Sequence, residues 1–251
     1  MRLFVSLSYN GSAFCGWQSQ PNAPSVQEAL ESALSIAFKE KIAVTGAGRT
    51  DSGVNARGYI AHFDLVSDGF SFESAALISK INAILPSGIC VHSFFRVADG
   101  AHARFDAVSR TYRYYIHTQK DPFATESLYY KYPLDVESMN EAGLHLLGTH
   151  DFSSFEKVGA DNRTSTCTVS EAAWSRRDAS HLVFTITADR FLRNMVRAVV
   201  GTLLEIGGGR RPVSWADSVL ASRDRSRAGQ SVPGEALFLE EVRYPYELKT
   251  I

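Results

Sequence analysis

Within the first forty residues the hydrophobic pattern changes period. Residues 3–9, LFVSLSY, alternate as a half-buried strand does, whereas residues 24–40, PSVQEALESALSIAFKE, place Val26, Ala29, Leu30, Ala33, Leu34, Ala37 and Phe38 at helical spacing. Ser25, with Glu28 three positions on, forms a capping box that opens the helix. A strand and a helix so close in the chain must bury one face of each against the other, which sets an α/β class.

The same alternation continues. Strands are expected in 41–48, 59–66 and 89–97, with a helix over 72–85. The polar stretch 98–111 reads as a crossover into a second half, which divides the chain into 1–105 and 106–251. That half holds strands over 110–118, 166–177, 181–188 and 238–244, helices over 136–148, 191–207 and 213–222, and a loop over 150–165. The helix over 191–207 stops at Gly207-Gly208-Gly209. Short returns such as the one through GVNARG favour a mixed, mostly antiparallel sheet over a parallel one. The expected architecture is two similar α/β (α+β) halves around a central sheet, with a cleft between them.

Residues 46–58, GAGRTDSGVNARG, carry four glycines, two arginines and one aspartate. The stretch fails both phosphate-loop patterns: no Gly-Lys-Ser/Thr ends it, and Asp51 occupies the place of a dinucleotide loop's third glycine. Asp51 can be read in two ways. A carboxylate is ionised at neutral pH and needs no adjacent base to act as a nucleophile, with Arg49 two residues away to orient it. Equally, Asp51 could cap a turn in which Gly53 supplies a positive φ.

Composition narrows the alternatives. A chain of 251 residues, 45% hydrophobic and 11% aromatic, suits a globular core. No apolar run reaches the length of a membrane span, and the N-terminus alternates as a strand does, unlike a signal peptide, so a cytoplasmic location is expected. Cys15, Cys90 and Cys167 are odd in number and far apart, which points to reduced, buried thiols. The scattered histidines offer no metal-ligand spacing, so no metal site is expected.

The net charge is −1, yet residues 189–227 hold eight arginines against four acids, and arginine outnumbers lysine nineteen to seven over the chain. Arginine's planar fork suits phosphate or carboxylate, although a solvated surface explains such a cluster equally well. Arg193 and Arg197, four apart in the expected helix, fall together beside a stripe of Phe191, Met195, Val196, Val199, Val200, Leu203 and Ile206. Arg197 borders that stripe and calls for a partner, which a carboxylate from the other half would supply. On the strand 110–118, Tyr112 and Tyr114 share one face and Tyr115 takes the other. A tyrosine there could stack on a nucleobase or simply pack with its hydroxyl at the rim.

Taken together, these segments resemble the tRNA pseudouridine synthase A family. GAGRTDSGVNARG is similar to the family's GRTDAGVHA motif, and YNGSAFCGWQSQP, SVQEALE, HARFDAVSRTYRYYI, LLGTHDFSSF, FLRNMVRAVVGTLLEIG and LFLEEVRYP follow in the family's order. The resemblance implies an isomerase that converts uridine to pseudouridine at positions 38, 39 and 40 of the tRNA anticodon stem-loop, acting as a homodimer without metal or organic cofactor. It implies Asp51 as nucleophile, Tyr112 as the aromatic packing on the target base, Arg197 as the partner of Asp51, and Arg49 in RNA handling and base opening. Arg193, beside Arg197, is the further substrate-binding candidate.

Two departures stand out. Ser52 and Asn55 replace the family's Ala and His after the aspartate, and SVPGEALFL differs from the commoner Pro-x-x-Gly-Leu pattern by placing its glycine at Gly234. The first predicts altered contacts and retained activity; the second bears on the detailed shape of that loop and on the choice of target. A catalytically silent tRNA-binding module predicts loss of Asp51, Tyr112 or Arg197, all of which are present. A small-molecule phosphate enzyme would need the Lys-Ser/Thr or metal-ligand set that the glycine loop lacks.

Overall fold

A computed structural model describes residues 1–66, 74–160 and 163–251. The chain forms two compact units, one of residues 1–108 and 239–251, the other of residues 109–238. The division falls three residues beyond the expected one, and the last thirteen residues return to the first unit. Each unit is an antiparallel sheet with helices, and a parallel pair in the second makes the class mixed α/β.

In the first unit β1 (Arg2–Tyr9) pairs antiparallel with β3 (Asn55–Asp64) on one side and β4 (Ile89–Arg96) on the other. Helix α1 (Val26–Phe38) starts where the capping pattern puts it, with Glu28 N–H donating to Ser25 Oγ at 3.2 Å. Its last residue, Phe38, meets Phe63 of β3 and Phe94 of β4 at ring separations of 5.6 and 6.3 Å, and so ties the helix to the sheet. Helix α2 (Ser74–Ile84) contacts β4 and α1. The first two residues of its expected span, Phe72 and Glu73, lie outside the described residues.

The strand expected over 41–48 reduces to β2 (Thr45–Gly46), opposite His62 and Ala61. Helix α1 satisfies the preceding backbone instead: Ile42 N–H donates to Ser35 Oγ, Val44 N–H to Glu31 Oε1, and Gln27 Nε2 donates to Val44 O. With those groups taken by side chains, no ladder forms there. Conversely, β3 begins four residues before the expected 59, because Tyr9 of β1 pairs with Ala56.

In the second unit β5 (Ser109–His117), β9 (His181–Ala188), β8 (Thr166–Arg176) and β7 (Gly148–Asp151) pair antiparallel in that order, and β6 (Leu128–Tyr129) pairs parallel with β5. The expected loop over 150–165 therefore begins inside β7 and includes one 3-10 turn at Ser153–Phe155; residues 161–162 of it lie outside the described residues. Helix α3 (Val136–Leu144) is pinned to β8 by Asn140, whose amide bonds both the carbonyl and the N–H of Trp174. Helix α4 (Met195–Gly207) buries all but two of its thirteen residues, and α5 (Trp215–Ser222) follows. β10 (Leu237–Arg243) closes the chain's set of strands.

Helix α4 is shorter than the expected 191–207. Asn194 takes a left-handed conformation, φ 69°, and bonds Ser231 Oγ, and Met195 N–H closes a turn onto Leu192 O at 3.1 Å, so the helix begins only at Met195. Arg193 and Arg197 thus do not share a helical face, and Phe191 leaves the apolar stripe. The thiol expectation also needs correction. Cys167 is buried and its thiol is pushed up to about 12 by burial, but Cys15 and Cys90 are exposed. Among the described residues, no helix is long and apolar enough to cross a membrane.

Candidate active site

Arg49 and Asp51 belong to the first unit, and Tyr112, Arg193 and Arg197 to the second. Asp51 opens the turn that leads into β3. Val54 N–H donates to Asp51 O at 3.2 Å, and Gly53 takes φ +77°. The positive φ that the turn reading required is therefore present, and Asp51 is half-buried at the turn's first position while Arg49 is exposed.

This turn is held from beneath by the loop after β1. Thr50 is buried; its carbonyl accepts Trp17 N–H at 3.2 Å and its hydroxyl shares a 2.8 Å hydrogen bond with Tyr9 Oη. On the other side of Asp51, Gly53 N–H donates to Phe14 O at 3.4 Å. Tyr59 Oη donates to Gly48 O, and its ring stacks on Trp17 with centroids 4.1 Å apart. Gly46 is required by that stack: a Cβ there would lie 2.6 Å from Trp17 Cε2 and 2.7 Å from Trp17 Nε1.

Asn55, standing where the motif has histidine, is 1% exposed, and its Oδ1 accepts Gly11 N–H at 2.8 Å. It ties the loop after β1 to the start of β3. Ser52 is exposed, and its hydroxyl reaches Phe14 O at 3.4 Å. Of the two substitutions in the motif, one is built into the core and the other sits at the surface.

In the second unit Tyr112 lies opposite Ile186 of β9, half-buried, with Phe191 edge-on at 5.1 Å and 84°. The residue that sequence periodicity placed in a helix therefore backs the tyrosine. Tyr114 is fully buried and donates to Pro233 O at 3.1 Å; burial pushes its phenol well above the usual range. Tyr115 points to the other face, against Phe238 and beneath the Arg177 guanidinium.

Arg197 stands in the first turn of α4. Its Nε donates to Val232 O at 2.7 Å, and Val232 N–H donates back to Arg197 O at 3.2 Å. Arg193 is exposed, and its carbonyl accepts Lys157 N–H. The loop that departs from the family pattern thus grips Arg197 and Tyr114 through the carbonyls of Val232 and Pro233. Backbone acceptors do not depend on side-chain identity, so a changed sequence there can preserve both contacts.

Several supports of the site escaped the sequence reading: Tyr9, Trp17 and Tyr59 beneath the Asp51 loop, Phe191 behind Tyr112, and Arg225. Arg225 donates to Gly229 O and Ser231 Oγ, bracing the loop that holds Arg197. Trp17 and Tyr9 stand in YNGSAFCGWQSQP, a stretch legible only through the resemblance.

A family model described as a tRNA pseudouridine synthase matches residues 142–245. The tRNA pseudouridine synthase A of Parabacteroides distasonis is 50% identical over 249 residues, covering 98% of this chain and 97% of that protein. That of Bacillus subtilis is 41% identical, covering 97% and 99%. Among solved structures, an archaeal box H/ACA sRNP Nop10-Cbf5 complex superposes at 10% identity with a TM-score of 0.34, over 80% of this chain and 44% of that one, a likeness too low to define a fold. The chain belongs to the tRNA pseudouridine synthase A family and is an isomerase.

Proposed function

We propose that this chain isomerises uridine to pseudouridine at positions 38, 39 and 40 of the tRNA anticodon stem-loop, with Asp51 as the nucleophile. The observation that carries the reading is a half-buried carboxylate on a turn pinned on both sides, within the family motif. Asp51 attacks either C6 of the uracil or C1′ of the ribose. By either route the N1–C1′ bond breaks, the uracil turns within its pocket, and C5 bonds to C1′. The bond from Asp51 breaks again, at C1′ as C5 takes its place or at C6 after C5 has bonded, which returns the free carboxylate; C5 loses its proton and N1 gains one, so the product is an isomer of the substrate and no redox partner is required.

The base must leave the stack for this chemistry. Tyr112 packs on the extruded uracil, and its backing by Phe191 supports that role. Arg197 pairs with Asp51, and its tether to Val232 supports a fixed guanidinium. Arg49 and Arg193, both exposed, bind the RNA and help open the target base. The enzyme acts as a cytoplasmic homodimer.

The test uses unmodified tRNA transcripts that carry a single uridine at position 38, 39 or 40, with pseudouridine mapped by base-specific chemical adducts. Product at these positions and at no other uridine is expected. Product confined to another region of the tRNA would overturn the positional assignment.

A further inference from the structure

We propose that Tyr9 is a positioning residue for the reaction, fixing Thr50 through a hydroxyl–hydroxyl bond so that the adjacent Asp51 carboxylate is presented in one orientation. The inference rests on the reading of Asp51 as nucleophile.

Tyr9 is the last residue of β1, paired with Ala56, and the β1–β3 register shifts between Leu7 and Tyr9. Such an irregularity re-aims a side chain relative to a regular ladder. The ring is 4% exposed and lies 5.5 Å from Tyr59 and 6.3 Å from Trp17, so packing alone fixes its plane. Its hydroxyl then meets Thr50 Oγ1 at 2.8 Å in a buried pair. Trp17 N–H takes the carbonyl of the same threonine. Residue 50 is held at two points immediately before Asp51, and Gly53 and Val54 are bonded immediately after it.

A loop that needed only to close the β2–β3 connection would not need this grip. An attacking carboxylate does, because displacement by about 1 Å costs on the order of 100-fold in rate. The effect of Tyr9 passes through Thr50 and appears in the chemical step.

Tyr9→Phe keeps the ring and removes the hydroxyl. Single-turnover pseudouridine formation is expected to slow by roughly tenfold or more, while KM and tRNA Kd stay within about twofold of the parent. Thr50→Val should reproduce the loss, Thr50→Ser should retain near-parental rates, and the Tyr9→Phe/Thr50→Val pair should be no slower than either single variant. A parental rate in Tyr9→Phe, a loss confined to KM, or multiplicative losses in the pair would each overturn the proposal. Should Tyr9→Phe fail to fold, the Thr50→Val and Thr50→Ser comparison reads the same bond from its other side. An inactive Asp51→Ala beside a fully active Tyr9→Phe sinks this inference alone, whereas an active Asp51→Ala sinks the nucleophile reading.

Discussion

Asn55 illustrates how one residue can be both a departure from a motif and a fixture of the site. Its buried carbonyl oxygen receives Gly11 N–H, so Asn55→Ala should leave that donor unsatisfied and lower stability by about 1–3 kcal/mol, read as a fall in the urea midpoint. Ser52→Ala, at the surface, should stay within about 0.5 kcal/mol in the same assay. His62 gives the first unit a pH dependence. Its ring is buried and its Nδ1 accepts Ala103 N–H; burial above all, with Arg2 adding to it, lowers its pKa from 6.5 to about 4. The folded state therefore favours the neutral ring. Its contribution is complete above pH 6.5 and is lost as pH falls towards 4, by a total of about 3 kcal/mol. His102 and His117 are lowered in the same sense by desolvation, so the His62 share is isolated by comparing urea midpoints at pH 7 and 4.5 for the parent and His62→Gln. The variant should lose less on acidification, and an equal loss would contradict the assignment.

At the scale of elements, β8 was legible because it buries nearly alternate residues, β5 from its aromatic and β-branched content, and α1 because its cap and its stripe agree. Periodicity failed where a long-range bond overrides a local pattern. Residues 41–44 look like a strand but spend their backbone groups on α1 side chains, and 191–194 look helical but are turned by Asn194 onto Ser231. Asp51 stood out as a residue, yet nothing local separated nucleophile from turn former, since Gly53 does adopt the positive φ of a turn. Tyr9, Trp17 and Tyr59 converge on that turn from positions far apart in the chain, which no spacing rule exposes. Two variants test these elements. Asn194→Leu should destabilise more than Asn194→Gly, since only glycine adopts φ 69° without strain, by about 1–3 kcal/mol in thermal unfolding. Gly46→Ala should collide with the Trp17–Tyr59 stack and lower both the unfolding midpoint and the rate of pseudouridine formation.

For the whole molecule, a net charge of −1 must be reconciled with a polyanionic substrate. The eight arginines of 189–227 do not act alike: Arg211 pairs with Glu205, Arg223 with Asp151, and Arg197 and Arg225 bond backbone carbonyls. Binding should therefore draw on a few local phosphate contacts. The logarithm of tRNA Kd is expected to rise linearly with the logarithm of salt concentration, and Arg193→Gln should reduce that slope by roughly one contact's worth. A salt-independent Kd would contradict an electrostatic mode of binding. Sedimentation at assay concentration should return twice the 27.6 kDa chain mass, and a fully active monomer would contradict the proposed homodimer. The central claim is that the Asp51 carboxylate performs the chemistry on bound tRNA. Single-turnover conversion of unmodified tRNA by Asp51→Ala, run beside the parent protein with Kd measured on the same samples, tests it most directly. Expected is undetectable pseudouridine at a tRNA affinity close to the parent's; conversion at the parental rate would contradict the account.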